Sequence, residues 1–184
     1  MRVNRLVLGL AMGLVMAVTI GSAGAEERAF TQQFSGSFLT TQIDTNGDGV
    51  KARFGLAAGK SSDLGTILFQ IVTELSPLSS ATTCPTGNLE SEFVGGHGII
   101  RENKKGSLLF IEAGPGGQYC LDPTTDTFTF SGSGSITGGT GEFEGATGSI
   151  EVEGSGTIMV SDPADNEFGS QVGQVTGTLN VPEE

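Results

Sequence analysis

Short apolar or alternating runs, separated by turn-forming residues, make up most of the chain after residue 25. This pattern is typical of a meandering antiparallel sandwich or barrel. Two segments, 127–136 and 149–160, alternate cleanly, as half-buried strands do. Their predicted inward positions are Phe128, Phe130, Gly132, Gly134 and Ile136 in the first, and Ile150, Val152, Gly154, Gly156, Ile158 and Val160 in the second.

Six further strands are predicted, which brings the total to eight. One of them, 66–75, has apolar residues that also fit helical spacing, but its β-branched content favours a strand. The others are 34–44, 50–58, 90–102, 107–121 with an interruption at 114–117, and a last strand marked by Val175, Gly177, Leu179 and Val181. Glycines on the apolar faces suit a small barrel that bends sharply or leaves lumen space. We therefore expect an all-β fold, an eight-stranded antiparallel β-barrel, whose lumen is filled or holds one small ligand.

The first 25 residues predict a secretory signal peptide. Two arginines precede an apolar run, and Ala23-Gly24-Ala25 matches a cleavage site. A transmembrane anchor is the alternative, but the run from Leu6 to Ile20 is shorter than the ~18–20 residues that span a bilayer. The prediction is an exported protein, periplasmic or extracellular, with a single barrel domain at 26–184 and its core at about 30–182.

The formal charge of the 184-residue chain is −12, from 21 acidic and 9 basic residues. This excludes a nucleic-acid binder that relies on a basic face, and it disfavours anionic lipid surfaces. We expect no stable membrane insertion, and the oligomeric state stays open.

The chain has two cysteines, Cys84 and Cys120, both after the predicted signal peptide. A disulfide is the default in an exported protein. A catalytic or metal-binding thiol is the weaker alternative, because His97 is the only histidine and the cysteines do not form a CxxC pair.

The segment from Gly138 to Ser149 reads GGTGEFEGATGS. It resembles the GGTGxFxxAxG signature of the dirigent and allene oxide cyclase barrel proteins. The resemblance implies an eight-stranded antiparallel barrel with a central cavity for a hydrophobic ligand. Family members steer the coupling of phenoxy radicals or cyclise an oxidised fatty acid, but no catalytic residue transfers to this sequence. The glycines by themselves indicate a compact corner with Phe143 folded inward.

The residues from Asp44 to Gly49 spell DxNxDG, the first half of a calcium loop. The candidate ligands are Asp44, Asn46 and Asp48. Gly55 stands where an EF-hand has its closing glutamate, so we expect weak calcium binding or a plain hairpin turn. No other cofactor is predicted.

Three ionisable residues are the candidates for catalysis: Glu112, Glu74 and His97. Glu112 shares a strand face with Leu108 and Phe110. If that face lines the lumen, Glu112 is a buried acid or base, and in the opposite register it is a surface acid. The same question applies to Glu74, while His97 lies among glycines without a nucleophile at a recognisable spacing. Tyr119 is expected to pack rather than to contact a ligand.

The expected function is binding of a small hydrophobic or aromatic molecule in the barrel lumen. The expected lining is Phe128, Phe130, Ile150, Val152 and Ile158. A cofactor-free cyclase or isomerase of the allene oxide cyclase kind is one alternative, and a filled barrel that serves as a structural or surface-interaction module is another. Whether the protein is an enzyme stays open at this point.

Overall fold

The structure is a computed structural model that describes residues 26–41, 43–44, 50–61, 63–161 and 166–182. It is a closed antiparallel β-barrel, and the described residues contain no α-helix. The ten strands are β1 (Glu26–Thr40), β2 (Lys51–Ser61), β3 (Gly65–Leu75), β4 (Ser79–Ser80), β5 (Leu89–Glu102), β6 (Leu108–Ala113), β7 (Gly117–Asp122), β8 (Thr127–Gly139), β9 (Thr147–Ser161) and β10 (Glu167–Val181).

The barrel has eight positions around its circumference, as the sequence predicted. The order is β1, β2, β3, β5, then β6 and β7 end to end, then β8, β9 and β10, which pairs with β1. The two-residue β4 adds to one end of β5. The break between β6 and β7 falls at 114–116, where the sequence indicated an interruption. The segment with ambiguous spacing is a strand, β3, with Ile67 and Phe69 buried and Leu68 exposed.

Phenylalanines on the inner face lie directly opposite glycines of the adjacent strand. Phe34 pairs with Gly173, and Phe130 pairs with Gly154. A Cβ added at Gly154 would lie 2.5 Å from Phe130 Cζ, so the ring occupies the space that a side chain would take. The same arrangement joins Phe30 to Gly177, Phe38 to Gly169 and Phe128 to Gly156. The glycines on the apolar faces therefore hold aromatic rings in the lumen, a known way of stabilising glycine in a sheet.

Two apolar clusters fill most of the lumen. The larger one contains Phe30, Phe34, Phe69 and aliphatic residues such as Ile111 and Val175. The smaller one, which we call the Phe38 cluster, consists of Phe38, Leu75, Tyr119, Leu121 and Phe128. Phe130 packs against both clusters, so it joins them.

The terminal strands of the barrel are longer than the sequence predicted. β1 begins at Glu26 rather than at residue 34, and it ends at Thr40 rather than at 44. β10 begins at Glu167, well before Val175, the first residue that marked this strand in the sequence. The sequence pattern missed the first part because its inward positions Gly169 and Gly173 face phenylalanines and carry no apolar side chain.

The prediction that Val160 faces inward is wrong. The register between β9 and β10 shifts between Phe168 and Gly169, which pair with Val160 and Ile158 respectively. This β-bulge leaves Met159 unpaired and ends the alternation. Val160 is 59 % exposed as a result.

The disulfide between Cys84 and Cys120 is present, with 5.7 Å between the two Cα atoms. It joins β7 to the loop that precedes β5. Residues 138–149 form the corner between β8 and β9, where Gly141 and Gly145 have positive φ and Phe143 is buried. The predicted signal peptide lies outside the described residues. The part of the chain that the structure describes contains no helix long and apolar enough to cross a membrane.

Candidate functional site

A cavity of about 70 Å³ remains in the lumen between the two clusters. Most of its wall is apolar, with aromatic rings from Phe34, Phe69, Phe93 and Phe130. Three polar side chains, Arg53, Thr73 and Gln171, also line it. An apolar space with a few convergent polar groups is the usual form of a small-molecule site.

One side of the cavity lies at the break between β6 and β7. Gly114 and Ser133 both line it, and the Ser133 side chain is exposed to solvent. Gly132 lies in the same wall, and the nearest atom to a Cβ added there would be Val152 Cγ1 at 3.7 Å. At the interruption, the Gly114 N–H donates a hydrogen bond to the Ser133 carbonyl oxygen at 2.9 Å, which joins the two strands beside the cavity.

Arg53 is the one charged side chain that lines the cavity. It is 5 % exposed, and its guanidinium carbon lies 3.7 Å from the ring centre of Phe38, 4.5 Å from that of Phe128 and 4.8 Å from that of Tyr119. Such contacts with ring faces stabilise a cation when it is removed from water. The Phe38 cluster thus forms an aromatic cage around a buried positive charge.

Arg53 lies in a row of polar inner-face residues on three adjacent strands. It pairs with Thr40 of β1 on one side and with Thr73 of β3 on the other. Each strand contributes one polar residue at this level, although its other inner positions are mostly apolar or glycine. One end of the lumen is therefore polar.

Several buried polar atoms in this region have no hydrogen-bond partner among the described residues. They are Arg53 Nη2, Tyr119 OH and Thr40 Oγ1. The Tyr119 hydroxyl lies close to the Arg53 guanidinium, and the interaction between these two side chains offsets part of the effect of burial on both pKa values. A buried polar group without a partner is costly, and of these three residues only Arg53 lines the cavity.

Burial dominates the ionisation of both groups. It lowers the pKa of Arg53, and the nearby Tyr119 and Glu167 partly counteract this effect. Burial also raises the pKa of Tyr119, against the influence of the Arg53 charge. Arginine keeps its proton at neutral pH even when it is buried, so Arg53 presents a cation to the cavity.

The five predicted lumen residues all lie on the inner face. Phe130, Ile150 and Val152 line the cavity. Phe128 forms part of the aromatic cage, and Ile158 packs against the Phe38 cluster. Their role in ligand binding stays a prediction.

The three candidates for catalysis lie on the outer face of the barrel. The structure has the second of the two registers considered for Glu112: Leu109 and Ile111 are buried, whereas Phe110 and Glu112 are exposed. His97 is also exposed and pairs with Glu112 across β5 and β6. Glu74 is half-buried and follows the inward Thr73, so it too points outward. None of the three lines the cavity.

Of the calcium-ligand candidates, only Asp44 belongs to the described residues. Asn46 and Asp48 lie outside them. The part of the chain that the structure describes contains no group of three or more histidine, cysteine or acidic side chains that could hold a metal ion. Weak calcium binding at this loop stays a prediction.

Sequence reasoning missed Arg53 because the alternation in β2 is the reverse of the usual one. Phe54 and Leu56 are 38 % and 49 % exposed, while Arg53 and Ala57 point inward. An arginine between apolar residues normally indicates a solvent-facing position. A usable signal was the glycine at 55, which shares the face of Arg53 and leaves room in the lumen.

The outward apolar residues form a second feature. They lie on neighbouring strands, with Leu39 beside both Phe54 and Phe168, and Ile99 beside Phe110. They line an open groove of about 750 Å³ on the outside of the barrel. An exposed apolar area of this kind often marks an interaction surface.

No family model matches the chain, and no curated protein matches its sequence. The structure is similar to solved structures of two pterocarpan synthase dirigent proteins, GePTS1 and PsPTS1, each at 12 % sequence identity and a TM-score of 0.42. The first similarity covers 95 % of this chain and 100 % of that protein, and the second covers 88 % and 99 %. Both are dirigent proteins, one of the two groups that residues 138–149 resemble. The resemblance of residues 138–149 to either group stays a prediction. A similarity at this level carries no argument about activity, and the functional argument rests on the geometry of this chain.

Proposed function

We propose that this barrel protein binds a small hydrophobic or aromatic molecule in its lumen. The observation that carries the proposal is the cavity with aromatic walls, which extends to the break between β6 and β7. Apolar walls favour an apolar ligand because burial removes its surface from water.

The volume of the cavity limits the ligand. At about 70 Å³, the cavity is well below the ~300–1,000 Å³ of typical small-molecule sites. The ligand is therefore small. Binding of a large ligand in the interior would require the core phenylalanines to move.

Binding without chemical conversion is favoured over a cofactor-free cyclase or isomerase. A cyclase needs an acid or base near the ligand. The carboxylate and imidazole candidates Glu112, Glu74 and His97 all lie outside the barrel, and the ionisable group at the cavity is Arg53, a poor proton donor. The cyclase remains the alternative.

A substitution at Gly132 tests the proposal. Leucine at this position places its side chain in the cavity, since a Cβ there meets nothing closer than 3.7 Å. With toluene as the probe, NMR titration of the wild-type protein is expected to shift the amide signals of cavity-lining residues, and Gly132→Leu is expected to lose these shifts.

Gly95→Leu is the matched control. Gly95 belongs to β5 and pairs with the outward Glu74, and a Cβ there meets only Ala113 O at 3.8 Å. We expect this variant to bind toluene like the wild type. Equal toluene binding by the Gly132→Leu variant, with the same residues shifted, would contradict a lumenal site.

The outer apolar groove favours a second candidate function, a surface-interaction module. Leu39, Leu56 and Phe168 are each more than two-fifths exposed there. Leu56→Lys tests this candidate, because a charge in the groove should abolish any association through it while leaving the lumen unchanged. Light scattering across a concentration series is the measurement, and a mass at the monomer value in the wild type would contradict association between copies.

A further inference from the structure

The side chain of Phe93 closes a seam in the barrel wall beside the lumenal cavity. We infer that Phe93 is the gate of the cavity: its ring turns out of the seam when a small molecule enters or leaves the lumen. This inference rests on the proposed lumenal binding and adds the route of access to that site.

The seam is the gap in strand pairing between β6 and β7. Residues 114–116 belong to neither strand, and the facing residues 94–95 of β5 and 132–133 of β8 have no regular strand partner on that side. The register between β3 and β5 also shifts here, which makes Val94 the extra residue of a β-bulge. Backbone with few ladder hydrogen bonds opens locally at a low cost, so the wall is able to open at the seam.

Two backbone hydrogen bonds hold the seam outside the regular strand pairs. The Gly116 N–H donates to the Phe93 carbonyl oxygen at 3.0 Å, and the Gly114 N–H donates to the Ser133 carbonyl oxygen at 2.9 Å. Several residues of the seam contribute no side chain to fill it, namely Gly114, Gly116, Gly117 and Gly132. Closure of the wall therefore depends on a side chain from the neighbouring strand.

The Phe93 ring is that side chain. A Cβ added at Gly117 would lie 2.8 Å from Phe93 Cδ2, and one added at Gly132 would lie 4.0 Å from the same atom. Phe93 also lines the cavity. The ring therefore lies between the cavity and the glycine backbone, and it closes the seam from the inside.

Phe93 is held less firmly than the other rings that line the cavity. Phe34 contacts both Phe69 and Phe130, with ring centroids 6.1 Å and 6.4 Å apart, whereas Phe93 has no ring-to-ring contact within the described residues. Phe34 and Phe69 are each 5 % exposed, but Phe93 is half-buried. Side chains change rotamer faster than strands separate, so a turn of the Phe93 ring is the easiest way to open the wall.

The outer side of the seam borders a groove of about 380 Å³, which we call the side groove. The side groove and the cavity share Gly132, Ser133 and Val152, so they lie on opposite sides of the same stretch of wall. Gly117, whose inner side carries the Phe93 ring, also lines the side groove. A small molecule in the side groove is thus separated from the cavity by glycine backbone and one ring.

Labelling of a buried thiol measures the opening without requiring a ligand. The reporter is Ile150→Cys, because Ile150 lines the cavity, is 4 % exposed and does not line the side groove. The reagent is methyl methanethiosulfonate, a small neutral molecule, which is added to the oxidised protein and followed by mass spectrometry. In this background, Phe93→Leu is expected to raise the labelling rate at least about tenfold, because the smaller side chain leaves the seam uncovered for a larger fraction of the time.

Two further variants and one rate serve as controls. Phe110→Leu makes the same substitution at a 38 % exposed position on the outer face of β6, and it is expected to label at the rate of the parent protein. Gly132→Ala places a Cβ 3.7–4.0 Å from Val152, Gly117 and Phe93, which thickens the wall, so it is expected to slow labelling severalfold. The unfolding rate of each variant in guanidinium chloride, extrapolated to water, gives the labelling rate expected from unfolding alone.

The outcomes separate the gate from the proposed function. Equal labelling of the parent and the Phe93→Leu protein, or labelling of both at their unfolding rates, would overturn the gate and leave lumenal binding intact. If Phe93→Leu does not fold, Gly132→Ala decides, and labelling at the parent rate would overturn the inference. Absence of toluene binding would overturn the proposed function, while the thiol rates would still show whether Phe93 controls access to the lumen.

Discussion

The pairing of lumen phenylalanines with glycines makes a sharp prediction about two substitutions that look alike in the sequence. Gly154 in β9 and Gly132 in β8 are both inner-face strand glycines, and neither has a positive φ. Their surroundings differ. A Cβ at Gly154 would lie 2.5 Å from both Phe130 Cζ and Val172 O, whereas at Gly132 the nearest atom is 3.7 Å away.

The cost of Gly154→Ala follows from these distances. Carbon atoms pack best at about 3.5–4.0 Å, so the Phe130 ring or the strand must move by about 1 Å. The ring is held by Phe34 and Phe128, with centroids 6.4 Å and 6.1 Å away. Overpacking of this kind costs roughly 1–3 kcal/mol. Gly132→Ala meets no such obstacle and gains about 0.4–1 kcal/mol from the reduced entropy of the unfolded chain.

Equilibrium unfolding in guanidinium chloride of the oxidised protein measures both variants. We expect a lower midpoint for Gly154→Ala and an equal or higher midpoint for Gly132→Ala, with unchanged m values. If the two variants agree within about 0.5 kcal/mol, which is the usual scatter for unconstrained surface sites, the reasoning from ring and glycine pairs is refuted.

Three further predictions concern stability. Gln32→Met is expected to raise the free energy of unfolding in urea by about 1–3 kcal/mol, because Gln32 is fully buried and both of its amide atoms lack a partner among the described residues. As the control, Gln33→Met at the exposed neighbouring position should leave the free energy of unfolding unchanged. A lower free energy of unfolding in Gln32→Met would contradict the absence of a partner. Replacing Cys84 and Cys120 by alanine is expected to lower the free energy of unfolding by up to about 3–4 kcal/mol, because the disulfide closes a loop with a sequence separation of 36 and so restricts the unfolded chain. An unchanged melting temperature would contradict this prediction. Hydrogen bonds from Thr83 and Thr82 lower the pKa of Glu90 from 4.5 to about 2, so its contribution to stability is complete above pH 4.5 and is lost as the pH falls toward 2. Glu90→Gln should flatten the measured stability over that interval, and an unaltered slope would count against this role.

The local patterns in the sequence determined much of the barrel. Clean alternation located β8 and most of β9, since a strand with one buried face repeats every two residues. Glycine and proline located the break between β6 and β7, and β-branched content identified β3 as a strand. The cysteine pair predicted the disulfide because a chain with a predicted export signal and two cysteines has one way to pair them.

Only the tertiary structure decided which face of each strand lines the lumen where the alternation was weak or reversed. Glu112 is outside because β6 buries Leu109 and Ile111, a choice that depends on the register with β5 and β8. Arg53 is inside because a cation in the lumen becomes tolerable once three rings from other strands surround it. Two of those rings come from β7 and β8, which are distant from β2 in the sequence, so no local pattern around Arg53 could predict the cage. The candidate site is therefore a product of barrel closure, which brings together residues whose positions in the sequence are unrelated.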